Sequence, residues 1–267
     1  MSHDFPPPHS ESERTAMRVA QLWRYPVKSL AGERLPALTL VADGVLGDRA
    51  WGILDHGDGR ILTARREPQL LFASARLRAD GVPQITLPSG KELLGPGPAT
   101  DFALSAWLGK PASLVAAAES QDGRAEYFAD ATDDTSQAIE WTMPAGRFVD
   151  SAPVLVMTTA GLRSAAAAYP AGAWDVRRFR PNVLIDLQGE GWLEDTWLGR
   201  VLRVGTAQLA PKEACVRCSM VTRAQPGLAK DVDIYKAVHR THGGDAGVRT
   251  HVAQLGILSE GDALELL

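Results

Sequence analysis

The sequence has 267 residues, a formal net charge of −4 and only two cysteines. This length suits one large domain or two modest ones, and 45% hydrophobic with 22% charged residues exclude a chain that is disordered throughout. The absence of a basic excess argues against nucleic acid as a partner. Two cysteines alone cannot hold an iron–sulfur cluster that needs four thiolates.

Residues 1–16 are polar and rich in proline, and they predict a disordered tail. This segment has no apolar core of the kind found in a signal peptide. The most apolar stretches are far shorter than the ~20 residues that span a bilayer as a helix. We therefore expect a cytoplasmic protein that does not bind membranes.

Short strands separated by turns are expected in the first 110 residues. Residues 18–25 are rich in β-forming side chains, and Pro26 ends that strand. An Asp-Gly turn at 58–59 predicts a hairpin, and the apolar spacing of 101–108 predicts a helix with Asp101 as its N-cap. The predicted strands of this half cover residues 18–25, 51–55, 60–63, 70–77 and 84–87.

The second half of the chain begins with a polar stretch, 119–139, which we interpret as a linker or a long surface loop. Thr158 or Thr159 is expected to cap a short helix that continues to Ala168, and one or two helical turns are expected over 232–239. The predicted strands cover residues 153–157, 182–187, 201–209 and a closing hairpin-like pair at 256–258 and 263–267. This pattern indicates a mainly β fold with a few short helices, classed as α+β.

Both cysteines lie in one short stretch, Cys215-Val-Arg-Cys218. A thiolate is the form of cysteine that attacks or binds metals, and the neighbouring Arg217 favours it. From spacing alone, four interpretations stay open: a redox dithiol, half of a zinc site, one thiolate ligand for a metal cofactor, or two small buried side chains. The histidines that would complete a zinc site are His239 together with His242 or His251.

Three further motifs place cations beside turns and strand ends. They are Tyr25-Pro-Val-Lys28-Ser29, Gly47-Asp-Arg49 and Arg177-Arg-Phe-Arg180-Pro-Asn182. Cations beside hydroxyl and amide groups suit an anionic ligand with polar edges. Each motif also has a plain interpretation: a solvated lysine, an arginine paired with a nearby aspartate, and a charged entry to a surface strand.

Taken together, these motifs resemble the MOSC family, named after the C-terminal domain of molybdenum cofactor sulfurases. Thr63-Ala-Arg-Arg-Glu-Pro68, Asp150-Ser151 and Glu260-Gly-Asp262 also match it. The resemblance covers residues 17–267. Within the family, the sequence is most similar in kind to amidoxime-reducing components and YcbX-type proteins. The resemblance implies two β-barrel-like domains, an N-terminal one over 17–125 and a MOSC domain over 126–267, with a cofactor site between them.

The resemblance also implies a molybdenum cofactor, a molybdopterin with bound Mo, and a role for individual residues. The second cysteine of the motif, Cys218, would be the metal ligand and the catalytic residue, whereas Cys215 would be structural. The residues implied to bind the cofactor are Lys28, Ser29, Arg49, Asp150, Ser151, Arg180, Asn182 and Arg217.

Two functions follow from the resemblance. The first is an oxidoreductase that reduces small N-hydroxylated or N-oxide compounds. YcbX-type relatives often carry a ferredoxin domain with four clustered cysteines that this sequence lacks, so electrons are expected from a separate ferredoxin or flavin reductase. The alternative is a carrier of the cofactor or of sulfur that turns over no small molecule.

Overall fold

The structure, a computed structural model, describes residues 17–119, 123–128, 130, 133 and 136–267, so the tail predicted over 1–16 lies outside the described residues. The strands are β1 Arg18–Arg24, β2 Glu33–Leu35, β3 Ala37–Val41, β4 Gly44–Val45, β5 Trp51–Asp55, β6 Arg60–Ile61, β7 Ser74–Leu77, β8 Pro83–Thr86, β9 Glu92–Leu94, β10 Ala112–Ala116, β11 Arg124–Phe128, β12 Ala138–Thr142, β13 Val154–Thr158, β14 Val183–Asp186, β15 Leu202–Val204, β16 Ala207–Val216, β17 Asp245–Gln254, β18 Gly256–Ser259 and β19 Leu264–Leu266. The α-helices are α1 Pro98–Leu108, α2 Thr159–Ala168 and α3 Val232–His242. The prediction of a mainly β fold with a few short helices is confirmed.

An eight-stranded sheet joins the beginning of the described chain to its second half. Its order is β19-β15-β16-β17-β13-β14-β1-β2. Only β13 and β14 run parallel, and the other neighbours in this sheet are antiparallel. Val19 and Leu22 of β1 therefore share a buried core with Val154, Ile185 and Leu258. The pairing also brings the Lys28-Ser29 turn, which follows β1, close to the start of β14.

Smaller sheets complete the described fold. Their orders are β10-β5-β6, β7-β8-β9, β11-β12 and β18-β3-β4. A second buried cluster packs Ile53, Leu70 and Ile85 against Leu104 of α1 and Leu114 of β10. Within the described residues, no helix combines the length and the apolar character that a bilayer crossing requires.

The N-terminus of α1 differs from the prediction. The helix begins at Pro98, a favourable residue for a first helical position because its missing N–H has no intrahelical partner there. Asp101 is not the cap: its carboxylate accepts a hydrogen bond from the Leu114 N–H at 3.0 Å and so ties the helix to β10. The cap predicted for α2 is confirmed, because the Thr158 hydroxyl accepts from the Gly161 N–H at 3.1 Å.

The stretch 119–139, predicted as a linker or loop, contains much of a hairpin. β11 and β12 pair over five residues each, and the residues 120–122, 129, 131, 132, 134 and 135 lie outside the described part of the chain. Ion pairs hold the hairpin to β6, for Arg60 binds Glu126 at 2.7 Å and Glu140 at 3.3 Å. Because these contacts join residues far apart in sequence, local composition gave no sign of a strand.

Three other predictions about strands are wrong in part. Residues 68–72 form a short 3-10 helix, and only 74–77 are extended. The strand expected over 201–209 is broken at Gly205, whose φ of 55° favours glycine, so it becomes β15 and β16. The closing pair is not a hairpin, since β18 binds β3 and β19 binds β15.

A buried carboxyl group beside α2 leads to a pH-dependent prediction. Glu194 is fully buried, and burial raises its pKa, although a hydrogen bond from Thr158 offsets part of the effect. A raised folded-state pKa means that wild-type stability falls as pH rises above the ordinary glutamate value. Glutamine does not titrate, so the variant Glu194→Gln lacks this loss of stability. Its free energy of unfolding relative to wild type should therefore be larger at about pH 7.5 than at about pH 4.5, because the wild-type loss begins near the usual glutamate pKa of about 4.3. Urea unfolding at the two pH values measures this, and a pH-independent difference would contradict it.

Candidate functional site

One cleft, with a volume of about 740 Å³, collects every residue predicted for the site. This volume lies within the usual range for small-molecule and cofactor sites. The elements that meet there are the turn after β1, the turn after β4, the segment before β13, the entry to β14 and the end of β16. The predicted residues that line it are Lys28, Ser29, Arg49, Asp150, Ser151, Arg180, Asn182, Arg217 and Cys218.

Three of these residues have an unusual backbone conformation. Ser29, Arg49 and Arg180 have φ values of 69°, 47° and 57°, and they are the non-glycine residues with positive φ in the described part of the chain. Side chains disfavour this region, so it persists only where the surroundings impose it, which is common at ligand sites. The backbone is strained at the turns that bring a hydroxyl and two guanidinium groups to the cleft.

A buried tyrosine organises the two arginines. The guanidinium carbon atoms of Arg49 and Arg180 lie 4.6 Å and 4.3 Å from the centroid of the Tyr25 ring, within the range of cation–π attraction. The Tyr25 hydroxyl donates to the Pro181 carbonyl at 3.2 Å. Burial and the neighbouring Arg49 lower the pKa of Arg180 to about 10, so it remains a cation at neutral pH. The cleft therefore has two adjacent, fixed positive charges.

Hydrogen bonds fix Arg49 further. Its guanidinium donates to the Asp48 carboxylate, to Asn182 Oδ1 at 3.2 Å and to the Arg180 carbonyl at 3.3 Å. The same Asp48 carboxylate accepts from the Tyr25 N–H at 2.7 Å. The plain interpretation of Arg49, an arginine paired with a nearby aspartate, is therefore correct as far as the pairing goes. The paired Arg49 nevertheless lines the cleft.

Asn182 joins the cleft to the sheet. Its side chain is fully buried, and its Oδ1 accepts from the Leu155 N–H at 3.1 Å as well as from Arg49. Its Nδ2 donates to the Trp23 carbonyl at 3.2 Å. The amide thus connects β1, β13 and the start of β14, and it positions the Arg49 guanidinium.

Lys28 is paired at the cleft wall. Its Nζ lies 2.6 Å from Asp150 Oδ1 and donates to the Phe148 carbonyl at 3.1 Å. Burial raises the pKa of Asp150, but the charge and the hydrogen bond of Lys28, together with the charges of Arg249 and Arg49, outweigh it, so the carboxyl pKa lies below its usual range. The Lys28 side chain is 9% exposed and that of Asp150 is 50% exposed. Lys28 is therefore not the solvated lysine of the plain interpretation.

Two serines have their oxygen atoms engaged by protein groups. Ser29 Oγ accepts from the Ala64 N–H at 3.0 Å. Ser151 Oγ donates to Glu213 Oε1 at 2.8 Å, and Arg249 donates to the same oxygen at 3.0 Å. Glu213 and Arg249 also line the cleft, and sequence reasoning missed them because neither stands in a recognisable motif.

The two cysteines differ in exposure. Cys215 is buried, and its Sγ accepts from an Arg217 Nη1 at 3.0 Å, while Arg217 Nη2 donates to the Phe179 carbonyl at 2.6 Å. Cys218 is partly exposed in the cleft. Burial raises the pKa of Cys218, and the Met220 N–H and the Arg217 charge lower it in part. Both cysteines line the cleft, and Cys218 is the more accessible of the two thiols.

The zinc interpretation finds no support in the described residues, which contain no group of three or more His, Cys, Asp or Glu side chains placed to share a metal. His242 binds Asp195 at 2.5 Å and stacks on Trp192 with ring centroids 4.8 Å apart. His239 stacks on Tyr235. None of the three histidines considered for zinc lines the cleft.

Arg65 is a cleft residue to which sequence reasoning assigned no role. It is buried, and its guanidinium carbon atom lies 4.3 Å from the centroid of the Phe128 ring. Its charge acts on the Cys218 thiol and helps to lower that pKa. Arg65 belongs to the stretch Thr63–Pro68, which matches the family and is the sequence signal by which it could have been found.

The donor set of the cleft fits an anionic, polar cofactor with a soft metal. Arg217 lines the cleft, and its buried Nε is a donor with no hydrogen-bond partner in the described structure. A clustered set of cations suits a phosphate, and one reachable thiol suits a metal that prefers sulfur.

Known proteins share this sequence pattern. The chain is 27% identical over 232 residues to the mitochondrial amidoxime reducing component 2 of Bos taurus, covering 76% of this chain and 66% of that protein. It is 29% identical over 228 residues to the mitochondrial amidoxime-reducing component 1 of Mus musculus, covering 76% and 65%. The molybdenum cofactor sulfurase of Drosophila grimshawi is 26% identical over 259 residues, covering 89% of this chain and 32% of that protein. The chain thus spans just under two thirds of the length of the amidoxime-reducing relatives.

Two family models match adjacent parts of the chain. The MOSC N-terminal beta barrel domain matches residues 16–134, and the MOSC domain matches residues 144–265. The boundary placed at residue 125 stays a prediction. Because the two matches together cover most of the sequence, the chain belongs to the MOSC family.

Proposed function

We propose that the chain binds the molybdenum cofactor in this cleft and reduces N-hydroxylated or N-oxide compounds. One observation carries the proposal: the partly exposed thiol of Cys218 shares a cleft with cations held at positive φ. The relatives named as amidoxime-reducing components support the reaction class.

Each part of the cofactor has a matching group. Lys28, Arg49 and Arg180 would bind its phosphate and polar edge, Arg217 would offer its unpartnered Nε, and Cys218 would bind molybdenum as a thiolate. When bound, the cofactor would supply the oxygen-atom and electron chemistry, while the protein orients it and sets its electrostatic surroundings. Because a thiolate ligand must lose its proton, binding at Cys218 would release one.

Electrons would come from a separate partner. The two cysteines of this sequence cannot hold a four-thiolate iron–sulfur cluster, and Cys218 is assigned to the cofactor. We propose a ferredoxin or a flavin reductase as the donor.

Metal analysis of the full chain, purified from a molybdenum-replete host that makes the cofactor, tests this function. We expect molybdenum near one atom per chain, together with reduction of benzamidoxime when a reduced viologen dye supplies electrons. Zinc in place of molybdenum would overturn the proposal. If the protein contains molybdenum but does not reduce benzamidoxime, cofactor binding is supported and the reductase function is rejected.

That last outcome describes the second candidate, a carrier of the cofactor or of sulfur. The specific observation behind it is the relative named molybdenum cofactor sulfurase, whose match covers 89% of this chain. In a carrier, Cys218 would hold the cargo for transfer. Release of molybdenum to an apo-enzyme without turnover of amidoxime would favour it over the reductase.

A further inference from the structure

The β11–β12 hairpin presents large apolar side chains at the cleft. Every residue of β12 is exposed, and among them Ile139 and Trp141 are 48% and 43% exposed. Both line the cleft, and alternation along the strand puts them on one face of the hairpin. Single exposed apolar residues are ordinary, but a group of them beside a ligand cleft marks a binding surface.

The hairpin is anchored in position. Glu126 of β11 accepts from Arg60 and from Arg66, each at 2.7 Å. Ala125, which pairs directly with Trp141, is buried and belongs to a small core cluster with Phe148. The Phe148 carbonyl in turn accepts from Lys28. The apolar side chains of β12 are therefore held in a defined place relative to the cationic part of the cleft.

A third exposed apolar residue lies next to the thiol. Val216 is 60% exposed, lines the cleft and stands two residues before Cys218. Its neighbours Cys215 and Arg217 are buried, so Val216 is the apolar member of this segment that faces solvent in the cleft. One cleft thus combines a cationic part with an apolar group made of Ile139, Trp141 and Val216, which we call the apolar rim.

We infer that the apolar rim binds the aryl or alkyl body of the substrate while its N–O head group lies toward Cys218. This inference rests on the proposed function and specifies its substrate class as amphiphilic N-hydroxy compounds rather than small hydrophilic ones. Trp141 is the main specificity residue, because an indole offers the largest flat apolar surface of the three. The rim provides selectivity through ground-state binding and takes no part in the chemistry.

Equilibrium binding to the molybdenum-loaded full chain tests the inference independently of turnover. Calorimetry with benzamidoxime and with acetamidoxime compares a substrate that has an aryl body with one that has a single methyl group. We expect Trp141→Ala to weaken benzamidoxime binding about tenfold, equivalent to about 1.4 kcal/mol, and to leave acetamidoxime binding almost unchanged. Ile139→Ala should act in the same direction with a smaller effect, and Trp141→Phe should restore most of the affinity.

Phe102→Ala is the matched control, because Phe102 is an aromatic residue that is 75% exposed and lies on α1, outside the cleft lining. It should change the binding of neither ligand. The inference is overturned if wild type binds both amidoximes equally, or if Trp141→Ala weakens both alike. It is also overturned if the rim variants raise only the KM for a protein electron donor, since the rim would then bind that macromolecule.

The two proposals fail separately. Loss of benzamidoxime affinity in Trp141→Ala, in a protein that reduces no amidoxime, would keep the apolar rim and reject the reductase. Reduction of benzamidoxime with unchanged affinity in Trp141→Ala would keep the reductase and reject the rim.

Discussion

Replacing Cys218 with alanine is expected to remove essentially all molybdenum from the purified protein. Cys218 is the partly exposed thiol of the cleft, and a soft metal held by one protein thiolate loses its only covalent link to the chain when that sulfur is deleted. The cations would still attract the phosphate, but they cannot replace the metal ligand. Molybdenum per chain, measured by inductively coupled plasma mass spectrometry, gives the result directly.

Cys215→Ala is the matched control for that experiment. Cys215 is buried, and its sulfur accepts a hydrogen bond from the Arg217 guanidinium. The variant should therefore retain most of the molybdenum. Similar metal loss in both variants would show that the motif acts through folding rather than through one ligand. Full retention in Cys218→Ala would remove this residue from the site.

Replacing Asn182 with alanine is expected to lower the free energy of unfolding by about 3 kcal/mol, since three hydrogen bonds of about 1 kcal/mol each are lost. The Leu155 N–H and the Trp23 carbonyl would lose their side-chain partner. The Arg49 guanidinium would also lose one of its acceptors. Urea unfolding of the full chain, followed by circular dichroism, measures the change.

Thr250→Val provides a matched comparison in the same sheet. Thr250 is equally buried, but its hydroxyl makes a single hydrogen bond, to the Val154 carbonyl at 3.2 Å. Its replacement by the similarly shaped valine should cost about 1 kcal/mol or less. An Asn182→Ala effect no larger than that of Thr250→Val would contradict the bridging role of the amide.

The residues around the cleft were more predictable from sequence than the strands that bring them together. Lys28, Arg49 and Cys218 stand in short motifs whose order along the chain carries information, and the family resemblance joined them. The pairing of β1 with β14 cannot be predicted from the sequence of either strand. The apolar residues of each strand reflect the burial of its own side chains and do not depend on which strand is its neighbour. The structure places these motif residues in one cleft, whereas the strand pairing that brings their segments together has no signature in the sequence.

The role of individual side chains was harder to predict than their location. The sequence offered Asn182 as a donor for a ligand, whereas in the structure its amide holds backbone groups and Arg49. Trp141 follows a polar stretch of sequence, and its position at the cleft is evident only from the structure. Both depend on contacts across more than twenty residues of sequence, which periodicity and composition do not contain.

The place of β1 between β14 and β2 has a consequence for biosynthesis. β1 leaves the ribosome well before β14, so one edge of it has no partner until residues 183–186 have been made. At ordinary translation rates of about 5–20 residues per second, that edge stays unpaired for roughly 10–30 s. During this interval an unpaired strand that carries Val19 and Leu22 is open to association with other chains. Until β14 has been made, this edge is therefore a site at which the nascent protein can aggregate.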